Sequence, residues 1–203
     1  GAMKMDNFVV KEKGGFWVVY KAKFKFLKRP YWRDKVVTTS FPADNQLIRL
    51  NENTAITTIE GEPIIFAKQE MCCLSLDRHR PMRLSAVDFP TEGFPEPFMT
   101  DDFDRFNVKP EEYQEVYQQK ILPQHIDMSH HMNNIEYVKL ALNVFSASDL
   151  ELCIPSELEV HYLGESEEGQ MLTVFRADHN GATYMRILDE TNRAVFEMKL
   201  RMM

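Results

Sequence analysis

The chain has 203 residues, 44% hydrophobic and 27% charged, a composition that suits one large globular core or two smaller ones. No apolar run reaches the ~18 residues of a membrane helix, neither a secretory leader nor a transit segment is read at the start, and Gly1-Ala2-Met3 reads as a tag remnant, so no membrane partner is expected. The net charge of −7 hides an asymmetry: residues 1–35 carry ten Lys/Arg against three Asp/Glu, a balance of +7, and the remainder carries −14, which points to an anionic partner.

In chain order, Lys21, Lys23 and Lys25 alternate with Ala22, Phe24 and Phe26, a period of two that predicts a strand with one solvated face. A turn through Pro30 and Asp34 leads to a second strand at Val36-Val37-Thr38. Glu60-Gly61-Glu62-Pro63 is a turn between apolar runs. Cys72 and Cys73 read as inert core residues. With Cys153 they make an odd set without ordered spacing, so neither a disulfide framework nor a metal site is expected, and a reducing cytoplasm is. Residues 85–112 hold Pro90, Pro95, Pro97 and Pro110 among acids, as a connection would.

Glu115 to Ile121 predicts another strand, and the apolar stretch from Asn133 to Phe145 predicts a short buried helix. Shifting the chain by 136 positions then sets Phe26 on Tyr162 and Val36 on Leu172. With small gaps, Ala43-Asp44-Asn45 falls on Ala177-Asp178-His179 and Ile65-Phe66 on Val195-Phe196. The expected architecture is α+β, two antiparallel sheet repeats, each meant to wrap a buried helix. The expected divisions are 4–84, a linker over 85–112, and 113–203. Subtracting 136 from the second repeat's strand and helix leaves almost nothing for the first repeat's counterparts. One long helix near 134–145 is therefore expected, with a first sheet that lacks its N-terminal strand and helix. Phe24, Phe26, Ile65 and Phe66 would then need cover from a dimer partner, a bound lipid or residues 5–16.

The sharpest local signal is Asp127-Met128-Ser129-His130-His131-Met132-Asn133-Asn134, which runs into the predicted helix. Polar side chains crowd a turn beside a helix N-terminus, whose free N–H groups and dipole suit a carbonyl oxygen gaining negative charge. The octet resembles the Asp-x-Asn-x-His-x-Asn-Asn motif of the acyl-ACP thioesterase family, matching at Asp127, His131, Asn133 and Asn134, with Ser129 where the family usually has Asn. Tyr162-Leu163-Gly164-Glu165-Ser166 resembles the family's Tyr-x-x-Glu-Cys, with Ser166 for Cys. The stretch around Trp17 and the Lys28-Arg29-Pro30-Tyr31-Trp32 turn are similar to its first repeat.

The resemblance implies a double hot-dog fold and hydrolysis of fatty acyl thioesters on an acyl carrier protein, without cofactor or metal. It implies catalytic roles for Asp127, Ser129, His131 and Glu165 and an oxyanion site at Asn133 and Asn134. Glu165 would serve as general base toward water and His131 as its partner or as acid to the leaving thiolate, because the Cys and Asn of a Cys-His-Asn triad are both replaced. The carrier protein is acidic, so Lys21, Lys23, Lys25, Lys28 and Arg29 are candidates to bind it. Plainer readings stand beside these: Asp127 as a turn acceptor, Glu165 as a solvated turn residue, the three lysines as the wet face of a strand. Other readings are an acyl-CoA thioesterase, a non-catalytic acyl-binding member, a hot-dog dehydratase, and a homodimer. No nucleic-acid motif is present.

Overall fold

The computed structural model describes residues 7–43, 45–90 and 93–203, and of Asn7 and Phe8 the backbone alone. The chain falls into two compact units that divide between Asp102 and Phe103, inside the stretch expected to be a linker.

The first unit holds α1 (Asn7–Glu12), β1 (Gly15–Phe26), β2 (Val36–Pro42), β3 (Leu50–Thr58) and β4 (Pro63–Ser75). Its strands are antiparallel in the order β2-β3-β4-β1. Gly14, at φ +76°, takes the left-handed conformation that stops α1 and starts β1. A bulge at Tyr20, between the Val19–Met71 and Lys21–Glu70 pairs, switches the faces of β1. Beyond it Lys21, Lys23 and Lys25 share a face with Glu70, Lys68 and Phe66 of β4, and with Asn51, Asn53 and Ala55 of β3.

That face is not solvated as the alternation predicts. Lys23 is only 3% exposed. Residues 98–102 lie across it: the Lys23 Nζ donates to the Asp102 carbonyl at 2.9 Å, Lys25 pairs with Asp101 at 2.7 Å, and the Met99 N–H donates to Asn53 Oδ1 at 3.1 Å. Phe66, paired with Lys25, also faces this side, away from Phe24, and stacks on Phe98 at 6.0 Å. On the opposite face Val10 of α1 is fully buried in a cluster with Leu50, Cys73, Leu84, Val87 and Phe89, against Trp17 and Met71. Residues near the start of the chain thus cover one end of this sheet. Phe24, Phe26 and Ile65, farther along the same face, are half-buried.

The second unit holds β5 (Gln114–Lys120), α2 (Asn134–Leu142), α3 (Ala147–Leu152), β6 (Pro155–Tyr162), β7 (Met171–His179), β8 (Ala182–Leu188) and β9 (Ala194–Met202), with strand order β6-β9-β8-β7-β5. The core side of its sheet carries Val160, Val174, Met185, Ile187, Phe196, Met198 and Leu200, all buried. Helix α2 packs there through Tyr137, Leu140 and Ala141. It is shorter and more one-sided than expected: Ile135 is exposed, and Glu136 pairs with Lys139 at 2.6 Å. The strand over 114–120, the helix and the antiparallel sheet around it form a hot-dog unit of the α+β class.

The repeat is exact in the hydrogen-bond ladders. Phe26–Ile65 in β1–β4 corresponds to Tyr162–Phe196 in β6–β9, and Thr38–Ile56 in β2–β3 to Val174–Ile187 in β7–β8. Even the turns agree: the Leu27 and Lys28 N–H groups share the Ile64 carbonyl as those of Leu163 and Gly164 share that of Val195. Two parts of the sequence register shift. Ile64-Ile65, not Ile65-Phe66, corresponds to Val195-Phe196, and Phe41, not Ala43, falls on Ala177, because the loops between strands differ in length. Asp44 lies outside the described residues. In strand order, β5 adds to the β7 edge, whereas β2 is the edge of the first unit.

Candidate active site

Every residue of the Asp127–Asn134 octet, and Glu165, belongs to the second unit. A 3-10 turn at Pro123–His125 enters the loop, an isolated bridge between Ile126 and Met132 closes it, and α2 leaves it. His130 stands at the tip with φ +65°. The Asp127 N–H donates to the His131 carbonyl at 3.0 Å, so the loop is a tight hairpin that turns the His131 side chain outward.

Across from it, the β6–β7 loop is tied on by the Met132 N–H, which donates to the Ser166 carbonyl at 2.8 Å. This sets His131 Nε2 3.5 Å from Glu165 Oε2, with both side chains partly exposed. An imidazole and a carboxylate at that spacing, open to solvent, can share a water and exchange its proton.

The remaining predicted residues divide. Asn133 caps α2, its Oδ1 accepting the Ile135 N–H at 3.0 Å, and its own N–H donates to the His125 carbonyl at 2.9 Å. Its backbone is therefore already occupied. The Asn134 N–H, at the first turn of α2, makes no hydrogen bond among the described residues. Asp127 Oδ1 accepts both the backbone N–H and the hydroxyl of Ser129, the N–H at 2.8 Å. Asp127 and Ser129 thus shape the loop together.

The Ser166 side chain, next to Glu165, is fully buried. Cys72 and Cys73 are buried in the first unit, where burial pushes their thiols up. Cys153 Sγ sits against Met202 Sδ at 2.9 Å. Of the basic set, Lys28 and Arg29 are exposed, and Lys28 pairs with Glu62 at 2.5 Å. Lys23 is sealed under residues 98–102.

Three further residues surround the site, to none of which sequence reasoning gave a role. His125 Nδ1 accepts the Leu122 N–H at 3.0 Å while its carbonyl holds Asn133. Tyr137 is buried under the β6–β7 loop, and its hydroxyl donates to the Gly164 carbonyl at 3.5 Å. Tyr162 donates to the Asn134 carbonyl at 3.4 Å, with its phenol pushed up to about 12 by burial first and then by Tyr137. The available signal was aromatic spacing around the motif, which reads equally as core.

Residues 109–200 match the family model described as the acyl-ACP thioesterase C-terminal domain. No curated protein sequence matches the chain. Among solved structures, an acyl-ACP thioesterase from Bacteroides thetaiotaomicron is similar at TM-score 0.83 and 19% identity, covering 98% of this chain and 81% of that one. The 12:0-ACP thioesterase from Umbellularia californica is similar at 0.73 and 13%, covering 94% and 76%. A MaoC-like dehydratase from Phytophthora capsici reaches 0.54 at 8%, covering 92% and 72%. The fold is therefore shared with dehydratases, and it is the sequence of the second unit that separates the two. Residues 109–200 match the acyl-ACP thioesterase C-terminal domain family, and the chain as a whole resembles the acyl-ACP thioesterases in fold.

Proposed function

We propose that the protein hydrolyses fatty acyl thioesters carried on an acyl carrier protein, releasing the free acid. The observation that carries this reading is the His131–Glu165 pair at 3.5 Å beside the start of α2. Glu165, as carboxylate, takes a proton from a water bound beside the pair, and that water attacks the thioester carbonyl. The developing oxyanion is met by the Asn134 N–H and the positive end of α2. Collapse of the tetrahedral intermediate breaks the C–S bond, and the thiolate leaves with a proton from His131 or Glu165. Asp127 and Ser129 keep the hairpin in the shape that presents His131. The burial of Ser166 and the cysteine environments support a route without an acyl-enzyme.

On this reading residues 113–203 carry the chemistry, and the first repeat, 4–84, supplies none of the reacting groups. The basic residues that meet an acidic carrier protein are Lys28 and Arg29. The test is to supply acyl carrier protein thioesters of graded chain length, and acyl-CoA of the same lengths, and identify the acids released. Release of acid from the carrier-protein thioesters in preference to acyl-CoA is expected. Tight acyl binding with no release from either would overturn the reading in favour of a non-catalytic acyl-binding protein.

A further inference from the structure

We propose that Tyr137 is a positioning residue for Glu165: its buried hydroxyl, donated to the Gly164 carbonyl, fixes the backbone that carries the base. This rests on the reading of Glu165 as general base. Glu165 is half exposed on a loop. An exposed carboxylate stays beside an imidazole only if its own backbone is held.

On one side the hold is the Met132 N–H on the Ser166 carbonyl. On the other, the Leu163 and Gly164 N–H groups bind the Val195 carbonyl at 2.9 and 3.2 Å, which leaves the Gly164 carbonyl, the one that enters the Glu165 peptide. Tyr137 reaches it from the first turns of α2, the helix that also carries the Asn133 cap just after His131. One short helix therefore sets the position of both members of the pair.

The phenol is well placed to do so. Its ring is 2% exposed, stacked on Phe196 at 5.6 Å and 19° and edge-on to Tyr162 at 6.3 Å. Burial raises its pKa and the neighbouring Ser166 hydroxyl offsets this in part, so it stays a neutral donor at working pH. The Ser166 hydroxyl itself makes no well-aligned hydrogen bond, so the Gly164 carbonyl is the anchor. At 3.5 Å the bond is long for a hydroxyl donor, which leaves it room to tighten around bound substrate. The equivalent turn of the first repeat carries Lys28-Arg29-Pro30 where the second has Gly164-Glu165-Ser166, so the arrangement belongs to the repeat that holds the base.

Tyr137→Phe keeps the stacked ring and removes the donor. With acyl carrier protein thioester as substrate, it should lower kcat about 3- to 10-fold and leave KM near wild type, while Tm falls by no more than the few degrees that one hydrogen bond contributes. The acidic limb of the kcat–pH profile should shift as the carboxylate loses its fixed setting. Leu200→Ala, at a buried position farther along β9 and outside the Tyr137–Tyr162–Phe196 cluster, serves as the packing control: it should lower Tm while leaving that profile in place. Wild-type kcat and pH profile in Tyr137→Phe, with Glu165→Gln inactive, overturns the inference alone. So does a Leu200→Ala profile that matches that of Tyr137→Phe. Wild-type turnover in Glu165→Gln overturns the general-base reading and this inference with it.

Discussion

At the scale of single residues, the pair that the proposal depends on is also the easiest to break. Glu165→Gln keeps the side-chain shape and removes the base; His131→Ala removes its partner. Each should cost roughly 10²–10⁴-fold in kcat, measured on a single acyl carrier protein thioester with circular dichroism to show an intact fold. Neither should accumulate an acyl-enzyme in intact-mass spectra, and neither should the wild type, because the Ser166 hydroxyl is sealed from solvent. Asn133→Ala should act differently. It removes the Oδ1 that accepts the Ile135 N–H, so about 1 kcal/mol of stability goes with the cap, read as a lower urea midpoint. The octet was legible through its resemblance to a family motif at Asp127, His131, Asn133 and Asn134, since polar residues before a helix also cluster as caps and turns. What Asp127 and Ser129 do was not legible, since a carboxylate two residues from a serine forms a turn or faces a substrate equally well in sequence. In the folded hairpin Asp127 accepts the two bonds that Ser129 donates.

At the scale of elements, the sheets carry polar faces that only their cover makes tolerable. In the second unit Lys199 is buried on β9. Burial opposes its charge, but hydrogen bonds from its Nζ to Asp104 and Glu157 win and hold its pKa above the usual lysine value. In the first unit Phe98 clamps the equivalent face. Phe98→Ala should cost about 1–2 kcal/mol, below the range for a fully buried ring because Phe98 remains partly exposed, and a thermal melt reads it. Alkaline pH tests the second unit's aromatic core. Tyr113 and Tyr162 are both pushed up to about 12, chiefly by burial. Their folded values exceed the unfolded value of about 10, so the stability they contribute is full below pH ~10 and is lost as pH rises through ~12. Tyrosinate absorbance during alkaline titration should therefore show two late phenols whose ionisation coincides with loss of the fold. The strand periods were plain in sequence. The bulge at Tyr20 was not, because a bulge is a property of two paired strands rather than of one.

At the scale of the whole molecule, charge decides what a carrier protein can meet. Reversing Lys28 and Arg29 should raise KM for acyl carrier protein thioesters more than for acyl-CoA, and added salt should reproduce the change in the wild type. Lys23→Glu should behave differently: it puts a carboxylate under residues 98–102, against the Asp102 carbonyl, and should lower Tm for both substrates alike. Equal KM effects for Lys28 and Lys23 would remove the argument for a docking face. The stretch 85–112 read as a linker on its prolines and acids. Its cross-contacts were invisible, because Met99, Asp101 and Asp102 find partners forty to eighty positions earlier in the chain.

The sequence by itself determined the repeat, the strand–helix–sheet order of its second half, and the motif that carries the proposed chemistry. These are written in local periodicity and in short spacings that one stretch of chain holds on its own. The tertiary structure alone decided what covers the lysine face of β1, which backbone N–H at the start of α2 has no partner among the described residues, and how Glu165 is brought to 3.5 Å from His131 across thirty-four positions of sequence. Each of those outcomes depends on a partner supplied by another segment: residues 98–102 over the lysines, the His125 carbonyl on Asn133, and Met132 and Tyr137 on the loop that carries Glu165.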